Sequence, residues 1–484
     1  MMNKVELVDV TLRDGHQSLW AERMTTGMML PIIEQLDRAG FNALEVLSPS
    51  FIGKCVRDLC EDPFERMRLL YKKGGSTPLR VNAGGLNVFG VDQPAMLDLF
   101  WRILAGTGIQ EVRVSDSWND PMVWKLRAGA ASKAGVKPII NITYSISPKH
   151  TTEYYVEKTK QALKLNPFRI CLKDPGGLLT PERTRELVPR MLALAKTTPL
   201  ELHTHCSTGL GPLCVIEAVK LGIKIINTSI PPLADDASLP SVFNVITNLR
   251  VLGYEVDVDE NLLYPIKAHF ERIAQLEKLP IGRPVEFDCS QYIHQVPGGM
   301  ISNLRNQLKE VGAEDKLPSA LEEAIQVRAD FGYPIMVTPL SQFVGSQAAV
   351  NVMTGKRYEQ VTDQSIRFAL GHFGGNVEHD MNPEVREKIL NSPRAKELSK
   401  SNFIELSLKE LRKNLDAESL TDEDFLLSYL LRKEDIQKMR SKGNEVKLYQ
   451  APEINLPSLI RDLSSVAKGN MIHISKVGFN LTIH

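Results

Sequence analysis

Residues 169–206 read RICLKDPGGLLTPERTRELVPRMLALAKTTPLELHTHC. The opening run is apolar and β-prone, and it stops at Pro175-Gly176-Gly177, residues that interrupt a strand. From Pro181 the pattern changes to that of an amphipathic helix, with proline in the first turn, where its missing N–H leaves nothing unpaired. A second apolar run, LELHTHC, follows at residues 200–206. Strand, helix and strand in so short a span is the βαβ unit of a parallel sheet.

The same alternation extends outward in both directions, from residue 5 to about residue 290. VELVDV, ALEVL, LRVNAGG, EVRVSDS, KPIINITYS, RICLKDPG, LELHTHC and IKIINTSI supply eight strands. MMLPIIEQLDRAG, DLFWRILAGTG, EYYVEKTKQALKL and PERTRELVPRMLALAK supply helices between them. Eight β/α units in roughly 250 residues predict a TIM (β/α)8 barrel of the α/β class. Asp14, Ser48, Asp116, Asp174 and His205 each stand just past an apolar run, at the expected C-terminal mouth, where such barrels do their chemistry.

Beyond the barrel, assigned to residues 1–295, the pattern becomes helical over 296–445, as in SALEEAIQVRADFG, LSQFVGSQAAVNVMTG and PEVREKIL. Residues 395–445 are rich in lysine and glutamate and read as solvated helical faces without catalytic character. A strand-rich tail, 446–484, ends in MIHISKVGFNLTIH. Lys+Arg and Asp+Glu balance at 58 each, so no net field favours nucleic acid or an anionic membrane. Six cysteines without a C-x-x-C pair, no signal-peptide pattern in MMNKVELVDVTLRDG and no apolar run near 18 residues predict a cytoplasmic protein without structural disulfides.

On a strand, His203 and His205 share a face, the spacing of a metal chelate, although two unrelated core histidines fit the same pattern. Asp14 and Lys173 end other strands at the same mouth. A lysine there is poorly solvated beside a metal. It either pairs with Asp174 or a neighbouring carboxylate, or reacts with CO2 to give a carbamate, an anionic oxygen ligand suited to a divalent ion.

TLRDGHQSLWAERM, EDPFERMRLL, LKDPGGLLTP, LHTHCSTGLG, QVPGGMISNLRNQLKEVGAEDK and GYPIMVTPLSQFVGSQAAVNVMTGKRYEQVTDQ, in this order, resemble the carboxyltransferase component of biotin-dependent enzymes. That family includes pyruvate carboxylase, the oxaloacetate decarboxylase alpha subunit and the carboxyltransferase subunit of transcarboxylase. The resemblance implies a metal-centred barrel followed by a helical funnel that admits carboxybiotin. It assigns Asp14, Lys173 as its carbamate, His203 and His205 as ligands of a divalent metal (Zn, Mn or Co). Thr338 matches the proton-shuttling threonine, Gln17 a contact to the substrate oxygen, and Arg13 an arginine able to stabilise an enolate. In the implied reaction carboxybiotin releases CO2, Thr338 relays a proton from substrate to biotin, and the substrate carbanion takes up the CO2.

Three positions depart from the family. Its carboxylate-gripping arginine falls on Gly84, the acidic neighbour of that arginine on Gly53, and a nearby tyrosine on Val91. Joint loss of the charges leaves a neutral, roomier pocket, so the expected substrate is a small enolisable compound other than pyruvate. Arg113, and less readily Arg80, are the cations nearest to replacing the clamp. No AMKM-like hairpin is found, and VGFNLTIH resembles the first strand of a linker toward a biotinyl domain. A separate biotin carboxyl carrier protein and a biotin carboxylase subunit are therefore expected, in a homodimer or larger complex. A biotin-independent lyase or aldolase on the same barrel and a non-catalytic scaffold subunit are the competing readings. Thr338 and the helical funnel argue against the first, the metal-ligand set against the second.

Overall fold

In the computed structural model, eight parallel strands close into a barrel in the order β1 to β8. They are β1 (Glu6–Asp9), β2 (Ala43–Leu47), β3 (Leu79–Ala83), β4 (Ile109–Val114), β5 (Lys137–Thr143), β6 (Arg169–Asp174), β7 (Leu200–Thr204) and β8 (Ile225–Thr228). The structure describes residues 3–86, 92–296, 301, 304–305, 308–309, 312–337, 340–373, 377–399, 404–443, 449, 472–476 and 479–483. Thr338 and Val91 lie outside the described residues. Each of the eight expected strands is present. Among the described residues no helix is long and apolar enough to cross a membrane.

The helices begin where the sequence offers caps. Asp120 accepts from the N–H of Met122 at the start of Pro121–Lys133, and Thr180 from that of Arg183 at the start of Pro181–Ala195. The single helix expected over residues 28–40 is instead divided into Thr26–Met29 and Ile33–Arg38. Pro31, at the break, has no N–H to donate to the turn before it.

Residues 1–446 form one compact unit and 447–484 a second. Within the first, helices Leu317–Asp330, Leu340–Thr354 and Asp363–Ala369 enclose a separate apolar core around Phe331, Phe343 and Phe368. That core reaches the barrel through Trp118, in the loop after β4, whose ring stacks on Phe368 at 5.2 Å. Helices Leu408–Asn414, Asp422–Leu430 and Lys433–Lys442 correct the reading of 395–445 as merely solvated. Their apolar residues Leu411, Phe425, Leu426, Leu427 and Met439 are buried. Glu423 pairs with Arg68, and Arg440 with Asp62, so one charged face lies against the barrel. The second unit holds an antiparallel pair, Ile472–Lys476 with Phe479–Ile483.

Candidate active site

The loop after β1 positions the acidic candidate. Thr11–Gly15 forms one π-helical turn, closed by the Gly15 N–H on the Val10 carbonyl at 3.1 Å, a geometry often found at functional sites. A Cβ on Gly15 would stand 2.9 Å from the Leu233 carbonyl oxygen, so only glycine lets this turn approach the loop after β8. Thr11 locks the turn. Its hydroxyl donates to Asp9 at 2.5 Å and accepts from the Ile230 N–H at 2.8 Å. Asp14 and Arg13 are thereby held in the mouth, both buried.

Strands β6 and β7 supply the rest. Lys173 lies opposite His203 in their ladder. Gly177, at φ +63°, lets the loop after β6 pass beneath His205, because a Cβ there would meet the His205 carbonyl oxygen at 2.8 Å. Asp174 is not the partner of Lys173. It accepts from the N–H groups of Leu178 and Leu179 and from the Thr204 hydroxyl, at 2.8, 2.9 and 2.8 Å. The Lys173 ammonium lies 3.5 Å from the Ser115 hydroxyl. Burial, reinforced by the charges of Arg13 and Arg113, pulls its pKa down to about 7.

Asp14, His203 and His205 converge on one point. His203 Nδ1 is 2.9 Å from Asn227 Oδ1, an oxygen that also accepts from Arg80, and His205 Nδ1 is 2.7 Å from the Ala237 carbonyl. Both Nδ1 atoms therefore carry the proton, which leaves both Nε2 lone pairs free. These two lone pairs face each other at 3.2 Å, with Asp14 oxygens 3.1 Å from His203 and 3.5 Å from His205. Burial, then the nearby Arg113, holds the His203 pKa well below its usual value, so His203 is neutral. Against burial, the Arg13 charge holds the Asp14 carboxyl well below the usual carboxylate range. Two lone pairs and a carboxylate aimed at one point, with the outer ring nitrogens fixed by hydrogen bonds, fit a divalent cation.

Below the mouth, side chains from several strands meet in a buried ion lattice. Glu45 on β2 accepts from Arg113 twice at 2.7 Å, from Arg80 at 3.0 Å and from Arg13 at 2.8 Å. Arg80 also reaches Glu201 at 2.9 Å. Three guanidinium groups overcome the burial that would raise the Glu45 pKa and press it far below the carboxylate range. This corrects the expectation that Arg113 contacts substrate. It has no exposed surface, and its remaining nitrogen faces the Cys171 sulfur at 3.7 Å. Arg80 is equally sequestered. Arg13 differs: it holds Asp14 at 2.6 Å and Gln17 at 3.1 Å, but its Nη2 is buried without a partner.

The departing positions separate. At Gly84 an added Cβ would meet nothing within 4 Å among the described residues. Gly53 differs. It sits on helix Pro49–Lys54, and a Cβ there would stand 3.3 Å from Leu431, carried in by the C-terminal helices. Sequence reasoning passed over Glu45, Glu201 and Asn227, which organise the lattice. It also passed over Asn82, Ser115 and Asn141, which line the mouth beside Lys173. Polar residues inside the apolar runs ALEVL, LRVNAGG and KPIINITYS were the available signal, since a buried polar group requires a partner.

A model of a conserved carboxylase domain matches residues 292–468, and an HMGL-like model matches 127–269. A pyruvate carboxylase subunit of Methanocaldococcus jannaschii is 38% identical over 391 residues, covering 80% of this chain and 68% of that protein. The 2-oxoglutarate carboxylase large subunit of Hydrogenobacter thermophilus is 31% identical over 453 residues, 91% of this chain and 69% of that one. The carboxyl transferase domain of Rhizobium etli pyruvate carboxylase shares the fold, with a TM-score of 0.80 at 24% identity over 91% of this chain and 78% of that one. With a closed barrel, a convergent His–Asp site and relatives of this similarity along most of its length, the chain belongs to the biotin-dependent carboxyltransferase family.

Proposed function

We propose that this chain is the carboxyltransferase subunit of a multi-subunit biotin-dependent carboxylase or decarboxylase, acting on a small enolisable compound other than pyruvate. The carrying observation is the convergence of Asp14, His203 and His205 beside Lys173 at a mouth where Gly84 supplies no cation and, among the described residues, nothing lies within 4 Å of its Cβ position. A divalent ion (Zn, Mn or Co) held by these residues would supply Lewis-acid polarisation of the substrate oxygen. Lys173 completes the set as a carbamate: with its pKa drawn to about 7, its neutral amine adds to CO2 and releases one proton.

The remaining roles belong to the chain's own side chains. The unpartnered Nη2 of Arg13 offers a donor to the enolate oxygen that develops when the substrate loses its α-proton. Gln17, bonded to the same guanidinium, orients it and contacts the substrate oxygen. Thr338 passes the proton between substrate carbon and biotin nitrogen, a task that needs hydrogen-bond reach rather than basicity. The carboxyl group arrives on carboxybiotin borne by a separate carrier protein charged by a biotin carboxylase. Both curated relatives are themselves named as subunits, which supports that division. The test is carboxyl transfer from carboxylated carrier protein to a panel of carbonyl compounds. Transfer to a neutral or larger compound, with pyruvate poor, is expected, and efficient use of pyruvate overturns the substrate assignment.

A further inference from the structure

The mouth contains a polar cluster outside the ion lattice, whose Ser115 hydroxyl lies 3.5 Å from the Lys173 ammonium. Asn82 on β3, Ser115 just past β4 and Asn141 on β5 meet beside Lys173. Asn141 Nδ2 donates to Asn82 Oδ1 at 3.1 Å and to the Ser115 hydroxyl at 2.6 Å, and that hydroxyl donates to Asn82 Oδ1 at 2.9 Å. These bonds leave groups over. Asn141 is fully buried, yet its Oδ1 has no hydrogen-bond partner. Asn82, 9% exposed, finds no acceptor for its Nδ2 among the described residues. Turning both amides over preserves all three contacts and exchanges the leftover groups. In either arrangement one amide carbonyl and one NH2 remain unpaired. Gly84, two residues beyond Asn82 at the end of β3, faces nothing within 4 Å among the described residues.

A buried acceptor without a partner is uncommon in a folded protein and points to a group supplied from outside. We propose that Asn82, Ser115 and Asn141 form the substrate-selecting subsite, and that it takes an uncharged enolisable carbonyl compound whose recognised end both donates and accepts a hydrogen bond, as a carboxamide does. A carboxylate matches it poorly. It carries acceptors only, so the leftover carbonyl stays unpaired and meets negative charge. The enolisable half of the substrate rests on the carboxyltransferase reading above. The neutral, two-sided end rests on the cluster.

Pyruvate and pyruvamide differ only in carboxylate against carboxamide, which makes them suitable probes. Their binding to the metal-loaded full chain is measured by calorimetry, with acetone as the ligand lacking a second polar group and hydroxyacetone as the hydroxyl arm. Pyruvamide should bind at least about tenfold more tightly than pyruvate, because a site built for a hydrogen-bonding group rejects a mismatched analogue strongly. Hydroxyacetone binding as tightly as pyruvamide would assign a hydroxyl, acetone-like weakness a carboxamide. Asn82→Leu and Asn141→Leu should bring the pyruvamide-to-pyruvate ratio close to one while metal stoichiometry stays unchanged. If Asn141→Leu does not fold, Asn82→Leu at the edge of the cluster decides. Pyruvate binding as tightly as pyruvamide, binding of neither, or a ratio unmoved by Asn82→Leu overturns the subsite. Carboxyl transfer from the carrier separates the two failures. Transfer to some compound without a carboxamide preference removes only the subsite, whereas a carboxamide preference without transfer to any compound removes the carboxyltransferase reading.

Discussion

Restoring a cation at the end of β3 tests whether that corner governs substrate charge. In Gly84→Arg the new Cβ meets nothing within 4 Å among the described residues, and Gly84 does not occupy the left-handed region that would penalise a side chain. A charge-assisted contact to a carboxylate contributes about 1.5–3 kcal/mol. Ordering a long arginine side chain opposes it by up to about 2 kcal/mol. Neighbouring positive charge subtracts little, because Arg127, beside the adjacent Gly85, is already paired with Asp92 at 3.1 Å and lies 3.8 Å from Asp116. The net gain in pyruvate affinity should therefore lie near the low end, about tenfold. Adding Gly53→Asp should help less than the family pattern suggests. The second side chain must displace Leu431, 3.3 Å from the position of its Cβ. Calorimetric titration of pyruvate into wild type, the single variant and the pair, with metal content measured in each, supplies the numbers. A change of less than about twofold in a folded, metal-replete Gly84→Arg would show that substrate charge is not read at this corner.

Glu45→Gln leaves three buried guanidinium groups short of their shared anion and should cost about 3–5 kcal/mol in denaturant unfolding; a loss under about 1 kcal/mol refutes the shared-anion account. His203→Ala removes one Nε2 ligand, and elemental analysis should find most of the metal gone, whereas stoichiometric metal would exclude this residue as a ligand. Thr338→Ala should lower carboxyl transfer by about 10²–10⁴-fold, with fold and metal content unchanged; activity within tenfold of wild type contradicts a proton relay. Burial, then the charge of Arg328, pulls His150 down to about 3. The unfolded chain takes up that proton near 6.5 and the folded chain only near 3, so stability rises with pH through this window. The contribution is complete above about 6.5, and about 2–3 kcal/mol of it is lost by pH 4.5. His150→Gln should flatten the acid limb of the unfolding curve by that amount, and an unchanged limb would show that His150 titrates normally.

The barrel was legible because its signal repeats: eight apolar runs separated by helical spacing leave few other closures. The ligand candidates were legible for a related reason, since strand alternation alone puts His203 and His205 on one face and places Asp14 and Lys173 at neighbouring strand ends. Partner identity was not legible. Nothing local to CLKDPGG reveals that Asp174 is consumed by Leu178, Leu179 and Thr204, which leaves Lys173 without it. Nor does Gly53 carry a sign that Leu431, nearly four hundred residues further along, packs against it. The lysine-rich segment misled because its composition reports the exposed face only. Its buried Phe425, Leu426 and Met439 are too few to dominate the pattern.

The barrel's own arginines cannot replace the missing clamp, and charge accounting explains why. Arg80 and Arg113 are fully committed to Glu45 and Glu201, and Arg169 lies 4.0 Å from Glu111 and 3.8 Å from Glu201. Turning any of these guanidinium groups toward a substrate would strand a carboxylate in the low-dielectric interior, at a cost of about 3–5 kcal/mol against the 1.5–3 kcal/mol that one carboxylate contact returns. The lattice is therefore closed to ligands. Of the three guanidinium groups around Glu45, Arg13 alone keeps a nitrogen without a partner, and the same guanidinium lies against Asp14 at 2.6 Å. On the proposed reading, that nitrogen would serve the oxygen that becomes negative during the reaction. On the proposed reading, the far end of the substrate would meet the amides of Asn82 and Asn141 and the Ser115 hydroxyl, so that hydrogen-bond pattern would select it.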